Sequence, residues 1–148
     1  MTRRVRRFAL ARDAATAVEF AFILPLLLIL VFGVFEFARL MWTREALAET
    51  AAAGARCMAM SASACQSGGA YSASGTDTYI EGVGTNWGLS LSASNLTLNN
   101  NTTCSGVTAT KGFSSVTIAY SFVSVVPQEI VALAGGESLS GTACYPNQ

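Results

Sequence analysis

Apolar and polar positions are segregated along this chain. Phe20 to Phe35 reads FAFILPLLLILVFGVF, with no charged or hydrogen-bonding side chain, and extension back to Ala14 gives 22 residues interrupted only by Thr16 and Glu19. A helix of that length spans about 33 Å, enough to cross a hydrocarbon core of about 30 Å. Beyond it the pattern becomes amphipathic: Phe37, Leu40, Met41, Leu47, Ala48 and Ala51 recur at helical spacings and lay one apolar stripe. Ala, Leu, Met, Glu and Arg favour helix here, and no Pro follows Pro25 before Pro127. The spacing predicts one helix from about Ala14 to about Met60, roughly 70 Å long. Its first half fits lipid. Its second half must bury the stripe on a domain or on neighbouring copies.

From Ser61 onward Ser, Thr, Gly, Asn and Ala dominate, and Gly68-Gly69, Gly75 and Gly82-Val83-Gly84 argue against any long helix. Three segments have strand character: Leu89 to Leu98, Val116 to Val126 and Ser138 to Cys144. Alternation in the first two suits a sheet with one covered face. Asn99-Asn100-Asn101 with Ser105-Gly106, and later Gly135-Gly136, supply turn residues between them, and Pro127 ends the second. The expected fold class is α+β: a long N-terminal helix, transmembrane in its first half, packed on a small antiparallel sheet. Three stretches follow: a basic leader 1–14, a long helix 15–60 that crosses the membrane at about 15–36, and a Ser/Thr/Gly-rich β domain 61–148.

The formal net charge is zero, but the charges are unevenly placed. Arg3, Arg4, Arg6, Arg7 and Arg12 precede the apolar run, whereas after Arg56 the only cation is Lys111, against Asp77, Glu81, Glu129 and Glu137. Five arginines on one flank hold that side in the cytoplasm, so the sequence predicts a single pass with the C-terminal domain exported. A buried helix of a soluble protein is the competing reading, and the flanking arginines oppose it. A cleaved secretory signal is another, using Ala46-Leu47-Ala48 as the cleavage site. Glu36, Arg39, Trp42, Arg44 and Glu45 oppose it by extending a helix where a relaxed segment is required. The same cluster of arginines abuts a membrane segment, and the C-terminal region has no basic stripe, which argues against nucleic-acid binding.

Cys57, Cys65, Cys104 and Cys144 all follow the apolar run, and an even count in an oxidising compartment favours disulfides. Three pairings are open. The favoured one is Cys57–Cys65, clamping the helix end to the next loop, with Cys104–Cys144, because a three-strand meander sets its first turn beside the end of its last strand. A zinc site is the alternative, but Cys-x-x-Cys and His are both missing. Without His, the common Ser–His and Cys–His nucleophiles cannot be built. Neither a metal-ligand cluster nor a phosphate-cradling Gly motif is present, so neither an enzyme nor a cofactor is expected. Asn95-Leu96-Thr97 and Asn101-Thr102-Thr103 match the glycosylation pattern and read as polar turns.

A family resemblance rests on the first third of the chain. Ala14-Ala15-Thr16-Ala17-Val18-Glu19-Phe20-Ala21, running into Leu24-Pro25-Leu26-Leu27-Leu28 and then Phe32-Gly33-Val34-Phe35-Glu36-Phe37-Ala38-Arg39, resembles the N-terminal signature of TadE-like proteins. These are pilin-like components of the tight-adherence (Tad) pilus system, a branch of the type IV pilus and type II secretion filament family. The resemblance covers about Arg12 to Arg56 and implies a pilin-like fold. It also implies a prepilin peptidase cut between Ala14 and Ala15, which makes Glu19 the fifth mature residue. Ala14 stands where the family usually carries Gly.

The implied function is a minor pilin or pseudopilin of Tad-type pilus assembly in the bacterial inner membrane. Its N-terminus would be cytoplasmic, with the domain periplasmic or carried outside the cell in a pilus. The implied partners are other pilins, the Tad machinery, prepilin peptidase and membrane lipid. Assembly contacts would run through Glu19, Phe20 and Pro25, with Glu19 meeting the freed amine of a neighbouring subunit. A carboxylate just inside an apolar segment needs such a partner, since it costs about 2.5–3.5 kcal/mol at a membrane centre and less near the end. Reach to headgroups is the simpler role for Glu19. Glu36 and Arg39, three apart, are expected to pair at the membrane exit. Pro25 removes one backbone hydrogen bond and is expected to kink the helix, which membrane helices tolerate. The alternative function is a membrane-anchored exported binding or adhesion domain that never enters a filament.

Overall fold

The computed structural model describes residues 2–104, 110–124 and 138–148. Its contacts divide the chain into two units, Met1–Ala38 and Arg39–Gln148. Helix α1, Thr2–Ala59, begins before the apolar run, continues through Pro25 and supplies the whole of the described first unit. There most apolar side chains of the run are exposed, Phe22 80% and Leu26 70%. Nothing within a water-soluble fold would leave so long a run bare, whereas a lipid environment makes it stable.

In the second unit the outer part of α1 lies on a three-stranded antiparallel meander, β3 (Leu96–Thr102), β4 (Phe113–Ser121) and β5 (Ser138–Pro146), in the order β3-β4-β5. Strand alternation selects the covered face. On β4, Ser114, Val116 and Ile118 are buried, and on β5 Leu139 and Gly141 are. Leu40, Leu47, Ala51, Ala55 and Met58 of α1 join Val116, Ile118, Leu139 and Phe122 in one core. The helix face against the sheet is therefore rotated from the expected stripe. Phe37 is exposed and Ala48 points outward, while Ala46, Thr50 and Gly54 are buried. Close packing explains the difference, because a β-carbon on Gly141 of β5 would stand 2.7 Å from the backbone of Leu47, and one on Gly54 would stand 2.6 Å from Ile80 Cδ1. Small residues set the distance between helix and sheet.

Between helix and sheet the chain forms a hairpin and a second helix. A hairpin joins β1 (Gln66–Ser67) to β2 (Ala70–Tyr71), and its two-residue turn uses Gly68 and Gly69 at φ +61° and +85°, a geometry that matches strand twist. Helix α2, Ala73–Asn86, follows, a 14-residue helix inside the region 61–148 expected as a β domain with no long helix. Ser72 caps it, its hydroxyl accepting from the Gly75 N–H at 3.2 Å. Thr76, Thr78 and Thr85 donate back to the carbonyls four residues earlier. Packing of Thr76, Ile80 and Gly84 into the interior offsets the low helix propensity of the glycines.

The strands also shift from their expected limits. Only Leu96–Leu98 of the segment Leu89–Leu98 is strand, and Asn99–Asn101, expected as a turn, continue β3. The side chain of Asn95 is the reason. It accepts from the Ser92 N–H at 3.0 Å and donates to the Ala119 carbonyl at 3.0 Å, which closes a 3-10 turn over Ala93–Asn95 and starts the strand after it. Strand β4 begins at Phe113 and ends at Ser121, earlier at both ends than Val116–Val126, and β5 runs two residues past Cys144. Ser105-Gly106, Val126, Pro127 and Gly135-Gly136 lie outside the described residues.

Two disulfides, Cys57–Cys65 and Cys104–Cys144, tie the helix end to the following turn and the segment after β3 to β5. The C-terminus is fastened as well. Asn147 donates to the carbonyls of Asn100 and Lys111, its side-chain oxygen accepts from the buried Ser114 hydroxyl at 2.6 Å, and the Gln148 N–H reaches the Ala59 carbonyl. With these bonds the sheet's polar interior corner is satisfied.

Candidate functional site

The first unit carries its chemistry on one helix. Ala15 and Glu19 are four residues apart and so share a face, which Phe22, Ile23 and Leu26 continue. Glu19 is exposed at the N-terminal end of this apolar ridge. Phe20 and Pro25 are also exposed but turn away from the ridge, since successive residues rotate by about 100°. The three residues expected to act in assembly therefore present to different sides of the helix. Seventeen residues separate Glu19 from Glu36, about 25 Å of helix, so these two carboxylates cannot act as a pair. Glu36 itself is 6% exposed, between the exposed Phe35 and Phe37.

The second unit opens with Arg39, whose guanidinium lies 5.2 Å from the centre of the Phe122 ring. One turn on, the Trp42 and Trp87 rings stand 5.7 Å apart with planes tilted by 60°. At the other end of this helical segment, Arg56 lies over the Tyr145 ring at 5.6 Å. These aromatic contacts are not legible from spacing beyond the presence of Trp42 on the helix, because Trp87, Phe122 and Tyr145 come from distant positions brought in by the fold. Asp77 and Glu81 sit four apart on α2, both half-buried, while Glu129 and Glu137 lie outside the described residues. Burial raises the Tyr71 phenol above its ordinary value, against a hydrogen bond with Thr76 that lowers it and alongside the Asp77 charge that raises it. That makes Tyr71 a weaker acid and does nothing to activate it.

The arrangement is therefore one of surfaces. A bare apolar helix bears a carboxylate near one end, and it runs into a unit closed by two disulfides. By length and composition this helix can cross a membrane. Residues 14–56 match the family model of TadE-like proteins, in agreement with the resemblance carried by the Val18-Glu19-Phe20 box and the Glu36-Phe37-Ala38-Arg39 exit. The match lies wholly within α1 and includes none of the sheet. Comparison with curated proteins and with solved structures returned no match.

Proposed function

We propose that this chain is a minor pilin or pseudopilin of Tad-type pilus assembly. Its apolar helix anchors it in the inner membrane and packs against the helices of other pilins. The leader arginines stay in the cytoplasm, and the disulfide-bonded unit lies in the periplasm or, within a pilus, outside the cell. One observation carries the reading: the segment that matches TadE-like proteins contains the apolar run 20–35, most of whose side chains are exposed among the described residues, with Glu19 exposed at one end. Lipid covers such a helix before assembly and neighbouring helices cover it afterwards. Glu19, expensive in lipid alone, gains from a partner's freed amine and so sets the axial register between subunits. The chain supplies packing and positioning and performs no catalysis.

Prepilin peptidase would free that amine by cutting between Ala14 and Ala15. The N-terminus of protein extracted from native membranes tests the proposal. A chain beginning at Ala15 supports the pilin route. A chain that retains Met1 supports the second reading, a fixed membrane anchor for an exported binding domain.

A further inference from the structure

The second unit exposes an aromatic face close in sequence to the apolar run. Trp42 is 60% exposed, Trp87 39% and Val123 78%. Trp42 and Trp87 form one patch, their tilted rings in contact, and Arg39, three residues before Trp42 on the same helix, lies over Phe122, the neighbour of Val123. Indole rings are usually largely buried in a folded unit, so two exposed ones in contact mark a surface meant for another phase or partner. Trp87 is held there by the fold. It ends α2, with its N–H donating to the Gly84 carbonyl, and α2 is anchored by the buried Thr76 and Ile80.

We infer that this face rests in the headgroup region of the lipid bilayer, with the Trp42 and Trp87 indoles at the level of the acyl carbonyls. The inference rests on the membrane-anchored reading of α1. Trp42 follows Phe35, the last residue of the apolar run, by seven positions, about 10 Å as helix and about 25 Å at full extension. Helix α1 is continuous through Phe35 and Trp42, so Trp42 stands about 10 Å of helix from the end of the apolar run, and Trp87 is in contact with it. Indoles prefer that depth because their rings are apolar and their N–H groups find carbonyl and water partners there.

Trp42 and Trp87 are the chain's two tryptophans, so intrinsic fluorescence reads this face alone. Full-length protein is reconstituted into vesicles of phosphatidylcholine and phosphatidylglycerol, with or without phosphatidylcholine brominated near the carbonyl end of its chains. Trp42→Phe leaves Trp87 as the sole reporter and keeps an aromatic ring against it, while the unaltered chain gives the same readout with both indoles. The expected result is loss of Trp87 emission in the brominated vesicles and protection from aqueous acrylamide. Flotation of the vesicles after alkaline carbonate washing is measured in parallel. Protein that floats while Trp87 stays quenched by acrylamide and untouched by bromine would overturn the inference, leave the anchor standing and assign the face to a protein partner. Protein that washes off the vesicles would overturn both.

Discussion

A β-carbon placed on Gly141 would stand 2.7 Å from the backbone carbonyl of Leu47, which makes this the point where β5 and α1 touch backbone to backbone. Leu47 is fully buried, and Gly141 pairs with Ile118 in the centre of the sheet. Neither backbone can yield without moving the element it belongs to. Gly141→Ala is therefore expected to destabilise the unit by about 1–3 kcal/mol through overpacking. Gly82, in α2, has open space around its missing side chain, and Gly82→Ala should stabilise by about 0.5–1 kcal/mol through helix propensity. Urea midpoints of the full chain in detergent separate the two. Equal shifts in one direction would contradict the packing described.

The disulfides differ in the length of chain they close, 8 residues for Cys57–Cys65 and 40 for Cys104–Cys144. On the chain-entropy model their removal is worth about 2.5 and about 4 kcal/mol. Paired Cys→Ser replacements should therefore lower the melting temperature more for Cys104/Cys144 than for Cys57/Cys65. The reverse order would mean that the helix-end clamp holds structure beyond its own loop.

The sequence carried the helix and its outward sheet partner because both rest on strong periodic signals, a long apolar run and the alternation Val116, Ile118. Which face of the helix packs was less legible. Phe37 and Ala48 fit the apolar stripe by spacing, but the sheet approaches so closely that Ala46, Thr50, Gly54 and Ala55 are selected in their place. Helix α2 was hidden by its composition, three glycines and four Ser/Thr within Ala73–Asn86, although Ser72 as cap and Thr76 with Ile80 at helical spacing were the readable signs. Strand β3 was misplaced because Asn95 acts through its side-chain amide, a role that spacing does not reveal. Of the candidate site, Glu19 and the exit residues stood out by polarity against an apolar background. The Trp42–Trp87 contact did not, since 45 positions separate the two.

The proposed topology, with the C-terminal unit exported, rests on five arginines before the apolar run and four cysteines after it. A reporter active only outside the cytoplasm, fused after Gln148, should be active in cells. Replacing Arg3, Arg4, Arg6 and Arg7 with Gln should reduce that activity by letting a fraction of chains insert in reverse. Activity of a cytoplasm-only reporter at the same fusion point would remove the basis for disulfide formation as well as for assembly outside the cell.

The role of Glu19 tests the proposed function most directly. Glu19→Leu makes the membrane segment more apolar and leaves the leader arginines in place, so the variant should reach the membrane at the level of the unaltered chain. If the carboxylate meets a neighbouring subunit's amine, its loss leaves that amine buried without a counter-charge, at a cost of roughly 3–5 kcal/mol. Each 1.4 kcal/mol is about tenfold in an equilibrium constant, so even a partial penalty depletes the assembled state. The measurement is recovery of pilus partners with the affinity-tagged chain from detergent-solubilised native membranes. The account predicts equal membrane levels and strongly reduced partner recovery for Glu19→Leu, and equal recovery from both chains would contradict it.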